Sequence, residues 1–422
     1  MMELLNRCAA IIGLDWADQK HDLCLKERSS DSLEFSELKH CPKAIQLWAQ
    51  SLQERFSGQP VAICLEQKKG PVIHALLKYD FLVLIPVNPQ TLARFRRAFT
   101  PSRAKDDPTD AALMVELLDR HADKLSIWQA DEPAVRQLQL LVEMRRSAVA
   151  DKVRISNRLT AALKAYYPQP LQWFKDHDTP LFADFLLRWP ELSKARRAKP
   201  ETMSRFFTKR NVRYSRIINA RLEQIETAVS LTEDRALIDS YKLQVQALAR
   251  QLKLSLEGIA DYDQAFSECF NSLPDAELFS ALPGAGAQLA PRLLAAFGSD
   301  RNHWPDAKGF LQYTGIAPVT ERSGKKEWVH WRWSCPTFTR QTFVEWAGQT
   351  IPRSYWAKAY YDQQRAKGKP HQVAIRALAF KWIRILHRCW LNKTPYDEAK
   401  YLLALQRKGS PLVTGYSNAE KA

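Results

Sequence analysis

The chain has 422 residues, 45% of them hydrophobic, which is enough to build buried cores and too many for a disordered tail protein. Its formal net charge is +16, and residues 281–422 hold 22 Lys and Arg against 9 Asp and Glu, a surplus that implies a polyanionic partner. Seven cysteines without a C-x-x-C pair, no apolar run of bilayer length and no signal-peptide layout exclude a disulfide framework, a zinc knuckle and a membrane protein. The expectation is a cytoplasmic protein of two to four domains that makes no contact with membranes.

Residues 9–14 form an apolar run that ends at Asp15, and residues 21–26 and 33–38 extend it into a meander. Residues 42–56 read as a helix with Pro42 in its first turn. A buried strand at 61–65 ends at Glu66, a helix follows at 70–78, and residues 81–87 give another strand rich in β-branched side chains. Asn88-Pro89 breaks the pattern before a basic helix at 90–99, whose Arg94, Arg96 and Arg97 are candidates for nucleic-acid contact. This order predicts an α/β domain around a mixed sheet.

Beyond Asp107 the pattern turns helical. Residues 132–165 predict one helix about 50 Å long. A second seam runs through Ile218, Leu222, Ile225 and Val229, then Ile238, Tyr241, Val245, Leu248 and Leu252, spaced as in a coiled coil or an antiparallel helical pair. The aromatic and basic segment 167–214 between them has no evident role. In LPGAGAQLAPRLLAAF, Gly284 and Gly286 precede an apolar helix, as in a helix-hairpin-helix whose turn offers backbone N–H groups to a phosphate; a simple helix cap fits equally.

Carboxylates recur in one setting. Asp15 and Glu66 each end an apolar strand, and Asp107 and Asp110 lie three apart at a helix start, on one face. Such groups converge at a sheet edge and offer oxygen ligands to hard cations, without which they repel each other. Singly, each has a plainer reading as a turn or cap residue, and Asp106 competes with Asp107 for the inward position. In Glu321-Arg322-Ser323-Gly324-Lys325-Lys326 a turn is flanked by cations that bind phosphate or lower the pKa of a hydroxyl; read alone, it is a solvated basic turn. Trp328-Val329-His330-Trp331-Arg332-Trp333 interleaves aromatics with a cation, which suits either base stacking or a packed strand. His330 among tryptophans reads as structural.

IIGLDWADQKHDLCL, LEQKKGPVIHALL, VNPQTLARF and KDDPTDAALMVELL resemble the N-terminal domain of the DEDD transposases of the insertion-sequence 110/1111 family. LFSALPGAGAQLAPRLLAAFGS, FLQYTGIAPVTERSGKK and VAIRALAFKWIRILHRCW resemble that family's C-terminal domain. The resemblance implies a RuvC-like (ribonuclease H-like) domain at 1–125, a helical connector at 126–272 and a mainly α transposase domain at 273–422. It puts the D-E-D-D tetrad on Asp15, Glu66, Asp107 and Asp110, binding Mg2+ as two ions, with Mn2+ able to substitute. It makes Ser323 the nucleophile, in a loop where Arg322, Lys325, Lys326 and Arg332 contact nucleic acid. Implied partners are double-stranded donor and target DNA, a structured non-coding guide RNA, and further copies of the chain in dimers and tetramers. Gln67 and Lys68 stand where the family has small residues, and residues 325–333 are basic and aromatic where it has small polar ones. A RuvC-like nuclease or Holliday-junction resolvase using water is the alternative reading.

Overall fold

AIIGLD carries no charge before its last residue, and in the computed structural model it becomes β1 (Ala10–Asp15), the centre of a five-stranded sheet. The structure describes residues 5–66, 70–99 and 107–413, without the side chains of Phe99 and Asp107. Two compact units divide at Ala130 and Asp131.

In the first unit β1 is flanked by β2 (Lys20–Glu27), antiparallel, and β4 (Val61–Leu65), parallel. β3 (Leu33–Lys39) pairs antiparallel with β2 at one edge, and β5 (Leu82–Pro86) pairs parallel with β4 at the other. β1 and β4 read as continuous apolar runs because helices cover both faces of the sheet. Ala10, Ile12, Leu14, Val61, Ile63 and Leu65 face a core completed by α1 (Pro42–Arg55) and α2 (Pro71–Leu76). Ile11, Cys24, Ala62, Cys64 and Ile85 face the other way, onto α3 (Pro89–Phe99) and α4 (Asp107–His121). Edge strand β3 is exposed apart from Leu38, with Leu33 and Phe35 at the surface beside its charged residues, and Arg55 bridges its Glu34 to Glu27 of β2. This is the mixed sheet expected from the strand–helix alternation.

The second unit is helical apart from one hairpin. α5 (Pro133–Tyr166) and α11 (Arg235–Asn271) run antiparallel: Cys269 donates to Ala134 O at one end, and Tyr166 stacks on Tyr241 at the other. Around the Tyr166 end lie α6 (Pro170–Trp173), α7 (Pro180–Arg188), α8 (Leu192–Arg196), α9 (Pro200–Thr208) and α10 (Ser215–Thr227). Their Phe174, Phe182, Phe185, Trp189, Phe206 and Phe207 make one aromatic core, so the segment 167–214 is aromatic in order to pack. The expected seam is internal, but it breaks between Thr227 and Arg235, where Asp234 caps α11 by accepting from the Ala236 and Leu237 N–H groups. Val229, expected on the seam, is 80% exposed in that break.

The Ala134 end of the pair shares a core with α12 (Ala276–Ser280), α13 (Gly286–Phe297), α14 (Ala307–Tyr313), α15 (Thr337–Thr350), α16 (Tyr355–Ala366), α17 (His371–Leu391) and α18 (Glu398–Arg407). Trp346, Trp356, Trp382 and Trp390 are fully buried there. Between α14 and α15 stands an antiparallel hairpin of β6 (Val319–Ser323) and β7 (Lys326–His330). Among the described residues no helix is long and apolar enough to cross a membrane.

Candidate functional site

The parallel register pairs Leu14 with Leu65, so Asp15 and Glu66 leave adjacent strands at the same edge of the sheet, about 5 Å apart in strand spacing. Alternation fixes their side. Leu14 and Leu65 face α1, so Asp15 and Glu66 face α4, as Ile11 and Cys64 do. Glu66 adds to burial in pushing the Cys64 thiol upward, as a carboxylate on that side must. Asp22 lies directly opposite Asp15 across the antiparallel pair, on the same face as Cys24. Asp22 ends no apolar run and so carries no strand-end signal in the sequence; only its alternation with Cys24 marks it. Two carboxylates placed opposite each other destabilise a sheet unless a cation joins them.

Gly13 brings α4 to this edge. A Cβ on Gly13 would collide with the carbonyl oxygen of Ala111 and crowd Met114. Because the helix backbone rests on that glycine, Asp110, one residue earlier, comes in beside the end of β1. Asp110 is 2% exposed; its Oδ2 is ion-paired with Arg96, and its Oδ1 is buried with no hydrogen-bond partner. Arg96 is thus turned inward, whereas Arg94 and Arg97 on the same helix are exposed. Asp107 begins α4, but its side chain lies outside the described residues, as do Asp106, Gln67 and Lys68. Among the described residues, no three His, Cys, Asp or Glu side chains are gathered closely enough to hold a metal ion. The chemistry present suits a hard cation all the same: three acidic positions in line across β2, β1 and β4, and a buried Asp110 with an orphaned oxygen.

In the second unit Ser323 ends β6 and pairs with Lys326, and Gly324 (φ 58°) opens the two-residue turn, as a II′-type hairpin requires. Thr320 to His330 are all exposed. Arg322 bonds Glu327 at 2.9 Å, and His330 lies 3.3 Å from Glu321, leaving Lys325 and Lys326 as the cations flanking Ser323 in the turn. The aromatic run is largely surface, with Trp328 46% and Trp333 80% exposed. Arg332 turns back to donate to Ala317 O at 3.4 Å.

Gly284 (φ 73°) lies in the turn between α12 and α13, and Gly286 (φ 53°) is the first residue of α13. A short turn thus joins two helices, as either a helix-hairpin-helix or a simple helix cap would have it. They serve differently. A Cβ on Gly284 would lie 2.6 Å from Gln349 O of α15, whereas nothing comes within 4 Å of one on Gly286. Gly284 is a packing residue, and Gly286 holds the left-handed backbone.

A family model described as the DEDD transposase of IS110 matches residues 12–168, and one described as the transposase of the IS116/IS110/IS902 family matches residues 276–362. Together they take in more than half of the chain. The chain belongs to the IS110 family of transposases. A protein of Streptomyces coelicolor, named as a transposase for the IS117 mini-circle, is 27% identical over 399 residues, covering 92% of this chain and 95% of its own length. The 44.8 kDa protein of insertion element IS116 from Streptomyces clavuligerus is 26% identical over 342 residues, 80% of this chain and 84% of its own. This IS110-family chain is therefore a DNA transposase, an enzyme that breaks and rejoins DNA.

Proposed function

We propose that the transposase is an RNA-guided recombinase in which Asp15, Glu66, Asp107 and Asp110 hold two Mg2+ ions and Ser323 is the nucleophile. The observation that carries this reading is the edge of the first unit: Asp15 and Glu66 end neighbouring parallel strands on the face where Asp110 is buried with a free oxygen. Bound there, magnesium supplies positive charge to the scissile phosphate, and manganese replaces it. Asp22 adds negative charge beside Asp15 and makes the site more selective for divalent over monovalent cations.

A recombinase must rejoin strands without another energy source, and a serine phosphodiester conserves what hydrolysis would discard. Ser323 Oγ gives up its proton as its bond to phosphorus forms and the P–O bond to a deoxyribose breaks, and the departing sugar oxygen takes up a proton in return. Attack by another strand's hydroxyl reverses the step. Free serine is a poor nucleophile, and Lys325 and Lys326 stabilise the oxyanion as the phosphate binds. The guide is supported by the basic surplus of residues 281–422, and Arg94, Arg97, Lys325 and Lys326 remain exposed for backbone contacts. Gly286 presents the turn before α13 to a phosphate. Function in dimers and tetramers completes the reading.

Protein incubated with labelled donor and target DNA gives a covalent adduct on a denaturing gel, mapped to Ser323 by mass spectrometry. Ser323→Ala removes it while nucleic-acid binding persists. Free cleaved ends with no adduct in an active preparation would make the enzyme a RuvC-like nuclease that uses water. Asp107→Ala abolishes strand exchange and Asp106→Ala does not. One dominant RNA, encoded beside the gene, co-purifies; a random sample of cellular RNA would remove the guide from the reading.

A further inference from the structure

α17 has two working faces. Ala374, Ile375, Leu378, Ala379 and Trp382 enter the core, whereas Val373, Arg376, Ala377, Phe380, Lys381 and Arg384 follow one another along a different stripe. That stripe forms a wall of a cavity of about 570 Å3, closed on other sides by residues 315–318, Tyr360 and the stretch Val329 to Arg332 that leaves β7. The volume falls within the range of small-ligand sites.

The lining is apolar wall and cation, with no carboxylate. Pro318, Val373 and Phe380 supply flat or branched apolar surface; Arg332, Arg376, Lys381 and Arg384 supply charge. The guanidinium of Arg376 lies on the face of Trp331, with that of Arg340 5.0 Å from the same ring, and its Nε is buried without a hydrogen-bond partner. Lys381 sits 4.6 Å over the ring of Tyr360. Burial and the nearby Arg340 bring Arg376 down to about 10, and burial with Arg384 lowers Lys381. Cations crowded together and partly desolvated in this way call for an anion.

We propose that this cavity receives one unpaired nucleotide of a nucleic-acid strand, its base against Pro318, Val373 and Phe380 and its phosphate among Arg332, Lys381 and Arg384. The apolar wall and the anion-seeking rim match the two halves of a nucleotide, and a half-open pocket of this size takes one base, whose face reaches the wall only after it has left the stack. The hairpin sets its reach. Ser323 pairs with Lys326, and His330 on the cavity wall is four residues further along β7, about 13 Å away. That is roughly four duplex base steps. The proposal rests on membership in a DNA-transposing family and needs neither RNA guidance nor a serine nucleophile.

The test uses the full chain and fluorescent single strands: (dT)10, (U)10 and an abasic decamer with the same number of phosphates. Wild type should prefer the base-bearing strands on the order of tenfold. Val373 is 43% exposed, so Val373→Asp leaves the fold intact while putting a carboxylate against the base; circular dichroism checks this. It should bring the preference close to one. Arg384→Gln, at another exposed position, should weaken (dT)10 and (U)10 several-fold each. Strands carrying 4-thiothymidine or 4-thiouridine should crosslink to peptides holding Trp331 or Phe380. Tighter binding of (U)10 assigns the pocket to an RNA strand, and tighter binding of (dT)10 to a DNA strand. A base preference unchanged in Val373→Asp, or crosslinks confined to other peptides, would overturn the pocket while leaving the family's DNA chemistry in place. A wild-type chain that bound none of these strands, nor duplex DNA, would instead undo the nucleic-acid reading as a whole.

Discussion

Gly13 has no side chain and no polar role, yet it sets where the acidic edge forms. Gly13→Ala forces α4 off β1, which overpacking puts at about 1–3 kcal/mol, and it displaces Asp110 from the sheet edge. The expected result is a thermal transition several degrees lower and lost strand exchange even where folding is retained; full activity would show that the α4 contact is not needed. Asp110 and Arg96 form the other decisive pair. In the proposed metal site the Arg96 guanidinium on the buried Asp110 carboxylate would compete with the cation. Arg96→Gln should bind Mn2+ more tightly by calorimetry, and unchanged affinity would separate Arg96 from the metal. His21 gives a pH signature. Its Nδ1 accepts from the Ala17 N–H, so Nε2 carries the hydrogen toward His40 Nδ1, 3.0 Å away, and the ring is neutral. Burial first, and His40 second, lower it from 6.5 to about 4. In that interval the unfolded chain binds a proton that the folded chain does not, so stability is full above pH 6.5 and falls toward pH 4. Denaturant unfolding should lose about 2–3 kcal/mol between pH 7 and 4.5, and His21→Gln should flatten that slope.

At the scale of elements, α17 runs through the core that α12 to α18 share with the Ala134 end of the helical pair. Trp382 packs 5.0 Å from Trp346 and 4.7 Å from Trp356, ring centre to ring centre, and its indole donates to Thr350 at 2.8 Å. Trp382→Ala should cost about 3–5 kcal/mol, measured by denaturant unfolding. Elements that announce themselves by local chemistry were legible in the sequence. β1 and β4 are apolar runs closed by a carboxylate, α5 is a long periodic stretch opened by Pro133, and the β6–β7 turn is marked by Ser-Gly. What escaped depends on contacts far apart in the chain. Nothing in the local sequence says that Gly13 meets Ala111, that Arg96 turns inward, or that Asp22 falls opposite Asp15. Segment 167–214 shows no readable period because its helices have too few turns. Its aromatic content is explained only by the shared core. The break before α11 was signalled by Asp234 as a cap, but the continuing apolar spacing concealed it.

Across the whole molecule, order is unevenly distributed. The carboxylates stand on a sheet with helices on both faces, and the core of the second unit is dense with indole rings. The hairpin bearing Ser323 has neither. Two strands alone are marginal in water, and from Thr320 to His330 every residue faces solvent. Amide exchange in the free chain should be fast from Glu321 to His330 and slow at Leu14 and Leu65, with hairpin protection appearing only once DNA is added. Equal protection in the free chain would contradict this. A host genome presents vast numbers of phosphates that must be left intact, and a transposase that cut on every encounter would destroy the cell that carries it. On the proposed mechanism the attacking hydroxyl sits on an exposed two-stranded hairpin, and assembly with substrate becomes the condition for arming it. The weakness of the hairpin is then a safety catch, and a variant that stiffened it should be the more dangerous enzyme.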